Sequence, residues 1–368
     1  DIIRHSRVRL IFGAGEIRRL GSLVVDEGGT RALLVTDPGI IRAGHVDRAA
    51  NSMREAGVEV TVFSGVEENP TTHHVEAGVS VARDLGINFI VGLGGGSSMD
   101  AAKGINFALT NGGRMQDYWG IGKATKPMLP FIAIPTTAGT GSEAQSFALI
   151  TDPDSHQKMA CGDEKALAKI AILDPDLIAT VPRKVAAATG IDAVAHAVET
   201  AGTKKRSDLS RQFSREAWTR LDRSFDAAMQ NLSDARVRED MLLGAHLAGV
   251  AIEKSMLGAA HSCANPLTSE FGVVHGMAVG LMLPHVIRFN CADGQNPYSD
   301  LCDDPAKLAA RIESMLLCAN LPRRLDDLHI SAADAPRLAA LAANQWTAQF
   351  NPRAISVESF EQLYRSAV

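Results

Sequence analysis

The sequence predicts an α/β domain with a mostly parallel sheet over residues 1–182, followed by an all-helical domain over residues 183–368. Three observations carry that expectation. As far as Pro182, short apolar and β-branched runs alternate with segments of helical spacing, the pattern of a parallel sheet covered on both faces. From Lys184 onward the chain turns Ala-, Leu- and Arg-rich, with almost no β-branched runs. One apolar run stops at a glycine cluster, which marks a strand-to-helix turn with room for close backbone approach.

Taken in order, ALLVTD (Ala32–Asp37) is the first expected strand, with a helix through His45–Arg54. VEVTVFS (Val58–Ser64) is the second, followed by a helix through Val75–Leu85. NFIVGLGGG (Asn88–Gly96) is the third, leading into a helix over Met99–Ala108, and PFIAIPT (Pro130–Thr136) is the fourth. FALITD and AKIAILD read as further strands, added antiparallel. In the second half LSRQFSREAWTRL, REDMLLGAHLAGVAIEKSML and PAKLAARIESMLL fit amphipathic helices. No internal repeat interrupts this order.

The chain has 368 residues, 46% of them hydrophobic and 21% charged, which suits two domains with sizeable cores. Net charge is −5 and no basic stripe is present, so nucleic acid is not an expected partner. The run Lys204-Lys205-Arg206 precedes Asp208 and reads as a solvated loop. Cys161, Cys263, Cys291, Cys302 and Cys318 are odd in number, widely spaced and free of any CxxC pair, which points to a reducing compartment. DIIRHSRVRLIFGAGE is too charged for a signal peptide, and no stretch approaches the roughly 18 apolar residues of a membrane span. A cytoplasmic protein without membrane contact is the expectation.

Gly94-Gly95-Gly96-Ser97-Ser98 follows the third expected strand and opens a helix, whose unpaired N–H groups and positive dipole end suit a pyrophosphate. The loop departs from GxGxxG, which belongs after the first strand of its unit. The plainer alternative is a tight turn with Ser97 or Ser98 as N-cap. The second loop, Pro135-Thr136-Thr137-Ala138-Gly139-Thr140-Gly141-Ser142-Glu143, is rich in hydroxyls and follows the fourth strand, at the edge where open α/β sheets bind ligands. Its alternative is an ST-turn capping the next helix, with Glu143 nearby.

Asp192 and His196 stand at i and i+4 in GIDAVAHAVET, so a helix puts both on one face. His261 lies in GAAHSCANPL, and His275 in GVVHGMAVG. One carboxylate with three imidazoles suits Zn²⁺ or Fe²⁺ and not Ca²⁺ or Mg²⁺. Four protein ligands ordinarily close a structural zinc site, so a catalytic ion needs a further position or a loosely bound ligand. The plainer alternatives are that Asp192 caps its helix after Thr189-Gly190, and that the histidines are satisfied in the core. His5, His45, His73, His74, His156, His246, His285 and His329 read as structural.

At these residues the sequence resembles the iron-containing (group III) alcohol dehydrogenase family. The resemblance runs from LIFGAGEIRRLG to NPRAISVESFEQLY. GGGSSMDAAK looks like the family's phosphate loop, IPTTAGTGSE like its second nucleotide loop, and GIDAVAHAVE with HSCANPL and HGMAVGLMLPHV like its ligand motifs. The resemblance implies a dehydroquinate synthase-like architecture, with an N-terminal dinucleotide-binding domain and an all-helical metal-binding domain. It implies Asp192, His196, His261 and His275 as ligands of Fe²⁺ or Zn²⁺, with His261 and His275 counted as catalytic. Gly95, Gly96, Ser97 and Ser98 would hold the pyrophosphate of NAD, and Thr136, Thr137 and Thr140 would lie along the cofactor. Asn69 matches a position near the adenosine, Lys158 one near the ribose, and Asp37 the acidic residue on the adenosine ribose. A carboxylate there favours NAD over NADP by facing the 2′-phosphate with like charge; the alternative for Asp37 is to start an Asp-Pro-Gly turn. One position departs: many members carry a histidine proposed as a proton relay four residues after the third ligand, and here it is Asn265.

The activity so implied is reversible hydride transfer between an alcohol or diol and NAD, with an aldehyde or ketone as the other partner, in a homodimer. Maleylacetate reductase and glycerol dehydrogenase types are alternatives within the superfamily. A dehydroquinate synthase-like lyase would need a basic pocket, and no Lys/Arg cluster stands beside the ligand motifs. A catalytically idle binding protein would have no need of four ligands and both loops.

Overall fold

The apolar runs of the first half lack polar alternation because both faces of the sheet they form are covered. The computed structural model describes residues 6–155 and 157–368. Among these residues β1 (Arg9–Phe12), β2 (Arg31–Val35), β3 (Glu59–Phe63), β4 (Phe89–Gly94), β6 (Phe131–Pro135) and β9 (Ile170–Leu173) form one parallel sheet, in the order β1-β9-β6-β4-β2-β3. Between them β5 (Gly120–Ile121), β7 (Phe147–Thr151) and β8 (Lys158–Gly162) make a smaller sheet, with β7 antiparallel to β8. The intervening helices are α1 (Leu20–Asp26), α2 (Pro38–Arg42), α3 (His45–Glu55), α4 (Thr72–Arg83) and α5 (Gly96–Asn111). Successive strand residues alternate faces. Leu33, Val35 and Ile90 therefore join Val75, Ala101 and Ile105 in one core, while Ala32, Leu34 and Val91 join Leu20, Ala49 and Met53 in another.

Two expectations about strands need correction. AKIAILD is not an antiparallel addition: β9 runs parallel inside the main sheet, between β1 and β6, and all of Ile170–Leu173 is buried. FALITD does pair antiparallel, in the smaller sheet. The glycine loop follows the fourth strand in chain order rather than the third, because β1 comes first. β2 and β6 also end earlier than expected, so Asp37 and Thr136 lie just past their strands. The connection from β2 to β3 moves toward one edge of the sheet, and those from β4 through β6 to β9 move toward the other. The order reverses between β2 and β4, which is where open α/β sheets bind ligands.

Contacts divide the chain into Asp1–Thr137 with Gly141–Val181, and Ala138–Thr140 with Pro182–Val368. The second unit is helical: α6 (Arg183–Gly202), α7 (Asp208–Gln230), α8 (Ala235–Lys254), α9 (Ala259–Phe271), α10 (His275–Cys291), α11 (Pro305–Cys318), α12 (Ala335–Ala343) and α13 (Val357–Ser366). α6 is its spine. It is buried almost continuously from Ala187 to Gly202, and its alanines let α7, α8 and α10 close on it. The bidentate pair Arg223–Asp240 ties α7 to α8, and Arg311 ties α11 to Asp222 and Asp226 of α7. Lys204-Lys205-Arg206 is exposed, and no described helix is long and apolar enough to cross a membrane.

Histidines outside the ligand motifs have ordinary roles where they are described. His45 Nε2 pairs with Thr180 Oγ1, His74 Nδ1 accepts from Thr71 N at the start of α4, and His285 pairs with Ser366. His246 is buried in α8, His73 is exposed, and His329 ends a helical turn at φ 58°. His5 and His156 lie outside the described residues.

The five cysteines are unbridged, and Cys161 and Cys263 are fully buried. Burial pushes the Cys161 thiol up to about 12 and moves Cys263 in the same direction. A thiol so raised holds roughly a thousandfold less thiolate near pH 8 than an unperturbed one. Alkylation of the native protein followed by mass spectrometry should therefore leave Cys161 and Cys263 unmodified until denaturant is added. Labelling of either at the rate of a free thiol would contradict the burial described here.

Candidate metal centre and nucleotide loops

Asp192 and His196 sit one turn apart in the interior of α6, so Asp192 does not cap the helix. Thr189-Gly190 does not break it either: the Thr189 hydroxyl donates back to the Val185 carbonyl, and a side chain at Gly190 would press on Phe225 and Met241. His261 lies in the first turn of α9, and His275 opens α10. The glycine after it explains how His275 reaches α6. A Cβ at Gly276 would stand 2.0 Å from the Ala188 carbonyl oxygen and 3.1 Å from the Asp192 Cβ. Only glycine lets the two helices approach so closely.

The four side chains converge on one carboxylate oxygen. Asp192 Oδ1 lies 3.5 Å from His196 Nε2, 3.5 Å from His261 Nε2 and 4.0 Å from His275 Nε2. The ligand atoms of Asp192, His261 and His275 all fall within 4.8 Å of one another, and the His196 ring stacks on His261 at 4.9 Å. Ligand atoms about 2.0–2.2 Å from one tetrahedral ion stand roughly 3.4 Å apart, so the spacing suits a single ion. Asp192 Oδ1 and His261 Nε2 are buried and make no hydrogen bond. Leaving such atoms unsatisfied costs about 1–3 kcal/mol each, a cost that ligation removes. The His275 side chain is 28% exposed, against 6% or less for the other three, so the open side of the centre lies at His275.

Electrostatics lead to the same ion. Burial alone would push the Asp192 carboxyl up, but the surrounding imidazoles hold it well below the usual carboxylate range. Burial would likewise pull His261 down, yet the Glu199 and Asp192 carboxylates raise it to about 9. His196 is lowered by burial. Among the described residues no Lys or Arg reaches Asp192 or Glu199 within ion-pair distance. Two buried carboxyl groups set among imidazoles, with no Lys or Arg side chain on either, suit a divalent cation.

Glu199 is the residue that sequence reasoning missed. It closes GIDAVAHAVE, one turn after His196, and it is buried. Its Oε2 is hydrogen-bonded to His261 Nδ1, and its Oε1 accepts from Ala260 N at 2.7 Å. Helical spacing from His196 was the available signal. Asn265, on α9, donates to Gln345 Oε1 at 2.9 Å and carries no titratable proton.

The nucleotide-loop residues of the first unit gather in pairs. α5 has Gly95 as N-cap and no side-chain cap, so Ser97 and Ser98 lie inside its first turn and neither is the N-cap. Gly96 and Ser97 stay partly exposed at this uncapped end. Gly94 has φ 152°, and a Cβ there would stand 2.4 Å from Ser98 Oγ. Ser98 donates to Asp37 Oδ2 at 3.1 Å, while Asp37 Oδ1 accepts from Gly39 N and Ile40 N and so caps α2. Asp37 therefore starts its turn and also stands beside the glycine loop. Lys158 donates to Asn69 Oδ1 at 3.3 Å, with Asn69 at φ 54°. Thr136 is buried, its hydroxyl without a partner, and Thr137 borders Gly95. Thr140 groups with the helical unit. The second loop does not end in a side-chain cap, since Gly141 precedes the turn at Ser142–Ala144 with φ 63°.

Lys103 and Asp100, the last charged residues of GGGSSMDAAK, were also missed. Lys103 is fully buried on α5 and donates to the carbonyls of Ser142 and Phe147 and to Ser142 Oγ, at 2.7, 2.9 and 2.9 Å. Ser142 Oγ donates in turn to Asp100 Oδ1 at 2.7 Å. α5 thus holds the far end of the second loop.

Comparison with known proteins adds the family. The profile described as "Iron-containing alcohol dehydrogenase" matches residues 8–175, and its C-terminal counterpart matches residues 186–368. The chain is 33% identical to a 1,3-propanediol dehydrogenase of Klebsiella pneumoniae, covering 97% of this chain and 96% of that one. It is 31% identical to an NAD-dependent methanol dehydrogenase of Bacillus methanolicus, covering 97% of each. The crystal structure of a 1,3-propanediol oxidoreductase superposes with a TM-score of 0.94 over 98% of both chains, at 32% identity.

The helix contact at Gly276 yields a test. Gly276→Ala must force α10 off the Ala188 carbonyl, at a cost of about 1–3 kcal/mol for overpacking. The expected result is a melting midpoint lower by a few degrees, together with reduced divalent-metal content by elemental analysis. Unchanged metal content would show that the contact does not set the position of His275.

Proposed function

The chain belongs to the iron-containing alcohol dehydrogenase family and is an NAD-dependent alcohol oxidoreductase, and from that premise we propose that Asp192, His196, His261 and His275 hold one divalent ion, Fe²⁺ or Zn²⁺, at which a short alcohol or diol is oxidised reversibly to its aldehyde or ketone. The observation that carries this is the convergence of three imidazoles on Asp192 Oδ1, where Asp192 Oδ1 and His261 Nε2 are buried without a hydrogen bond. When bound, the ion supplies Lewis acidity to the alcohol oxygen and NAD supplies the hydride acceptor.

The remaining work belongs to side chains and backbone of this chain. Gly95, Gly96, Ser97 and Ser98 present the uncapped N-terminus of α5 to the pyrophosphate of NAD. Asp37 turns a carboxylate oxygen, already accepting from Ser98, toward the adenosine ribose. Asn69 and Lys158, already paired, serve the adenosine side, and Thr136, Thr137 and Thr140 line the cofactor. His275, the most exposed of the four, marks the side from which substrate arrives. Asn265, held by Gln345, orients by hydrogen bonds and relays no proton, so the alcohol proton leaves to solvent. The relatives are named for 1,3-propanediol and methanol, which supports a small primary alcohol or diol as substrate. Homodimeric assembly rests on the resemblance, and a cytoplasmic location is supported by five unbridged cysteines.

Metal removal tests the ligand set. NADH production from a panel of primary alcohols and diols should vanish after exhaustive chelation and return with Fe²⁺ or Zn²⁺. His275→Ala should lower kcat/KM by at least about a hundredfold, the several kcal/mol of Lewis-acid assistance, with the helical fold intact by circular dichroism. Full activity in the chelated protein would end the proposal.

Cofactor choice tests Asp37. A carboxylate facing a 2′-phosphate should disfavour NADP by about 1–4 kcal/mol, or tenfold to a thousandfold. Asp37→Gly, and Asp37→Asn, which keeps the cap on α2, should narrow the NAD/NADP ratio chiefly through the KM for NADP. A ratio unmoved by both removes Asp37 from the ribose.

A further inference from the structure

Glu199 has no part in the ligand set, yet it is fully buried beside it and makes two hydrogen bonds that define the third ligand. The first concerns the helix that carries His261. α9 starts at Gly258, which offers no side-chain cap. Its opening N–H groups are taken from outside the helix: Asn351 Oδ1 accepts from Ala259 N at 3.3 Å, and Glu199 Oε1 accepts from Ala260 N at 2.7 Å. A carboxylate at this end also meets the positive pole of the helix dipole. A Cβ at Gly258 would stand 3.3 Å from Glu199 Oε1 and 3.2 Å from Asn351 Oδ1, so the glycine leaves room for both acceptors.

The second hydrogen bond concerns the imidazole itself. Glu199 Oε2 faces His261 Nδ1, and an ionised carboxylate can only accept. Nδ1 must therefore carry a proton, and once the ring is neutral, as ligation requires, its lone pair lies on Nε2. That nitrogen is the one aimed at Asp192 Oδ1, and it has no hydrogen bond of its own. One side chain thus fixes the height of His261 through its helix and the tautomer of His261 through its ring.

We propose that Glu199 is the positioning residue of the metal centre, holding His261 in the Nδ1–H tautomer and seating the start of α9 so that Nε2 is presented to the ion. The proposal rests on the four-ligand reading above. Carboxylates that accept from a ligating imidazole raise metal affinity by about 10–100-fold. Glu199→Gln should retain the oxygen that accepts from Ala260 N while setting an amide N–H against Nδ1. His261 then places its proton on Nε2, where it blocks ligation. Glu199→Asp keeps the charge but is one methylene short.

The test uses the full chain stripped by chelation, with Zn²⁺ alone as ligand. Its dissociation constant is measured against a chromogenic chelator for wild type, Glu199→Gln, Glu199→Asp and His275→Ala, beside the melting point of each metal-free form. Glu199→Gln should bind Zn²⁺ about 10–100-fold more weakly, Glu199→Asp should fall between it and wild type, and the metal-free melting points should change little. Wild-type affinity in Glu199→Gln overturns the proposal. So does weaker binding in Glu199→Asp than in Glu199→Gln, or an affinity loss that tracks a lowered metal-free melting point, which would make Glu199 a structural brace. If Glu199→Gln does not fold, the visible spectrum of Co²⁺-loaded Glu199→Asp decides: a shifted band supports the role and an unchanged band overturns it. His275→Ala separates the two failures. If it leaves Zn²⁺ affinity untouched, the ligand set itself is wrong; if it weakens binding while Glu199→Gln does not, only the role of Glu199 falls.

Discussion

A carboxylate buried in the middle of a helix, with no Lys or Arg among the described residues to neutralise it, is the constraint around which the helical half is arranged. Asp192 cannot be left so without compensation, because a buried unpaired charge costs several kcal/mol. α6 provides one imidazole from its own next turn, and α9 and α10 each bring another. Their approach requires small residues along α6 and, at Gly276, no side chain at all. Glu199 then sets a second buried carboxyl group beside the first, against the ring of His261. Two carboxyl groups among three imidazoles make a donor set that a divalent cation would complete.

The α/β half solves the opposite problem with backbone. A pyrophosphate brings negative charge, and here it would meet a helix N-terminus left deliberately uncapped, at the point where strand order reverses. Gly94 is required because a side chain would collide with Ser98, and Ser98 is thereby free to bond Asp37 from the neighbouring strand. Two loops leaving adjacent strands β2 and β4 are joined by that single hydrogen bond.

How much of this was legible from the sequence follows from which forces leave marks in it. β2, β4 and β6 were legible because two-sided burial writes continuous apolar runs, and β3, a partly buried edge strand, by its β-branched residues. β1 was not: it is an edge strand with Arg9 and Phe12 exposed, and four residues of partial burial carry little pattern. The direction of β9 was misjudged because composition does not encode it; the connection that feeds the strand does. Asp192 and His196 announced themselves by spacing on one helix, whereas His261 and His275 sit on separate helices and were tied to them only by resemblance to a family. Glu199 and Lys103 were passed over for one reason. A charged residue in a helical pattern is ordinarily a solvent-facing one, and both are buried here by partners far away in sequence.

The buried amine of Lys103 has a consequence for how this chain tolerates changes of length. The stretch from Thr136 to Phe147 is glycine- and threonine-rich, a composition that usually marks a surface segment tolerant of insertions, yet most of it is buried here. Lys103 grips it at two points, the carbonyls of Ser142 and Phe147, and fixes the span between them like a ruler. An extra residue inside that span would pull one carbonyl off a desolvated ammonium, whereas one placed elsewhere in the loop would leave the grip intact. The length of that span is therefore set from the opposite helix.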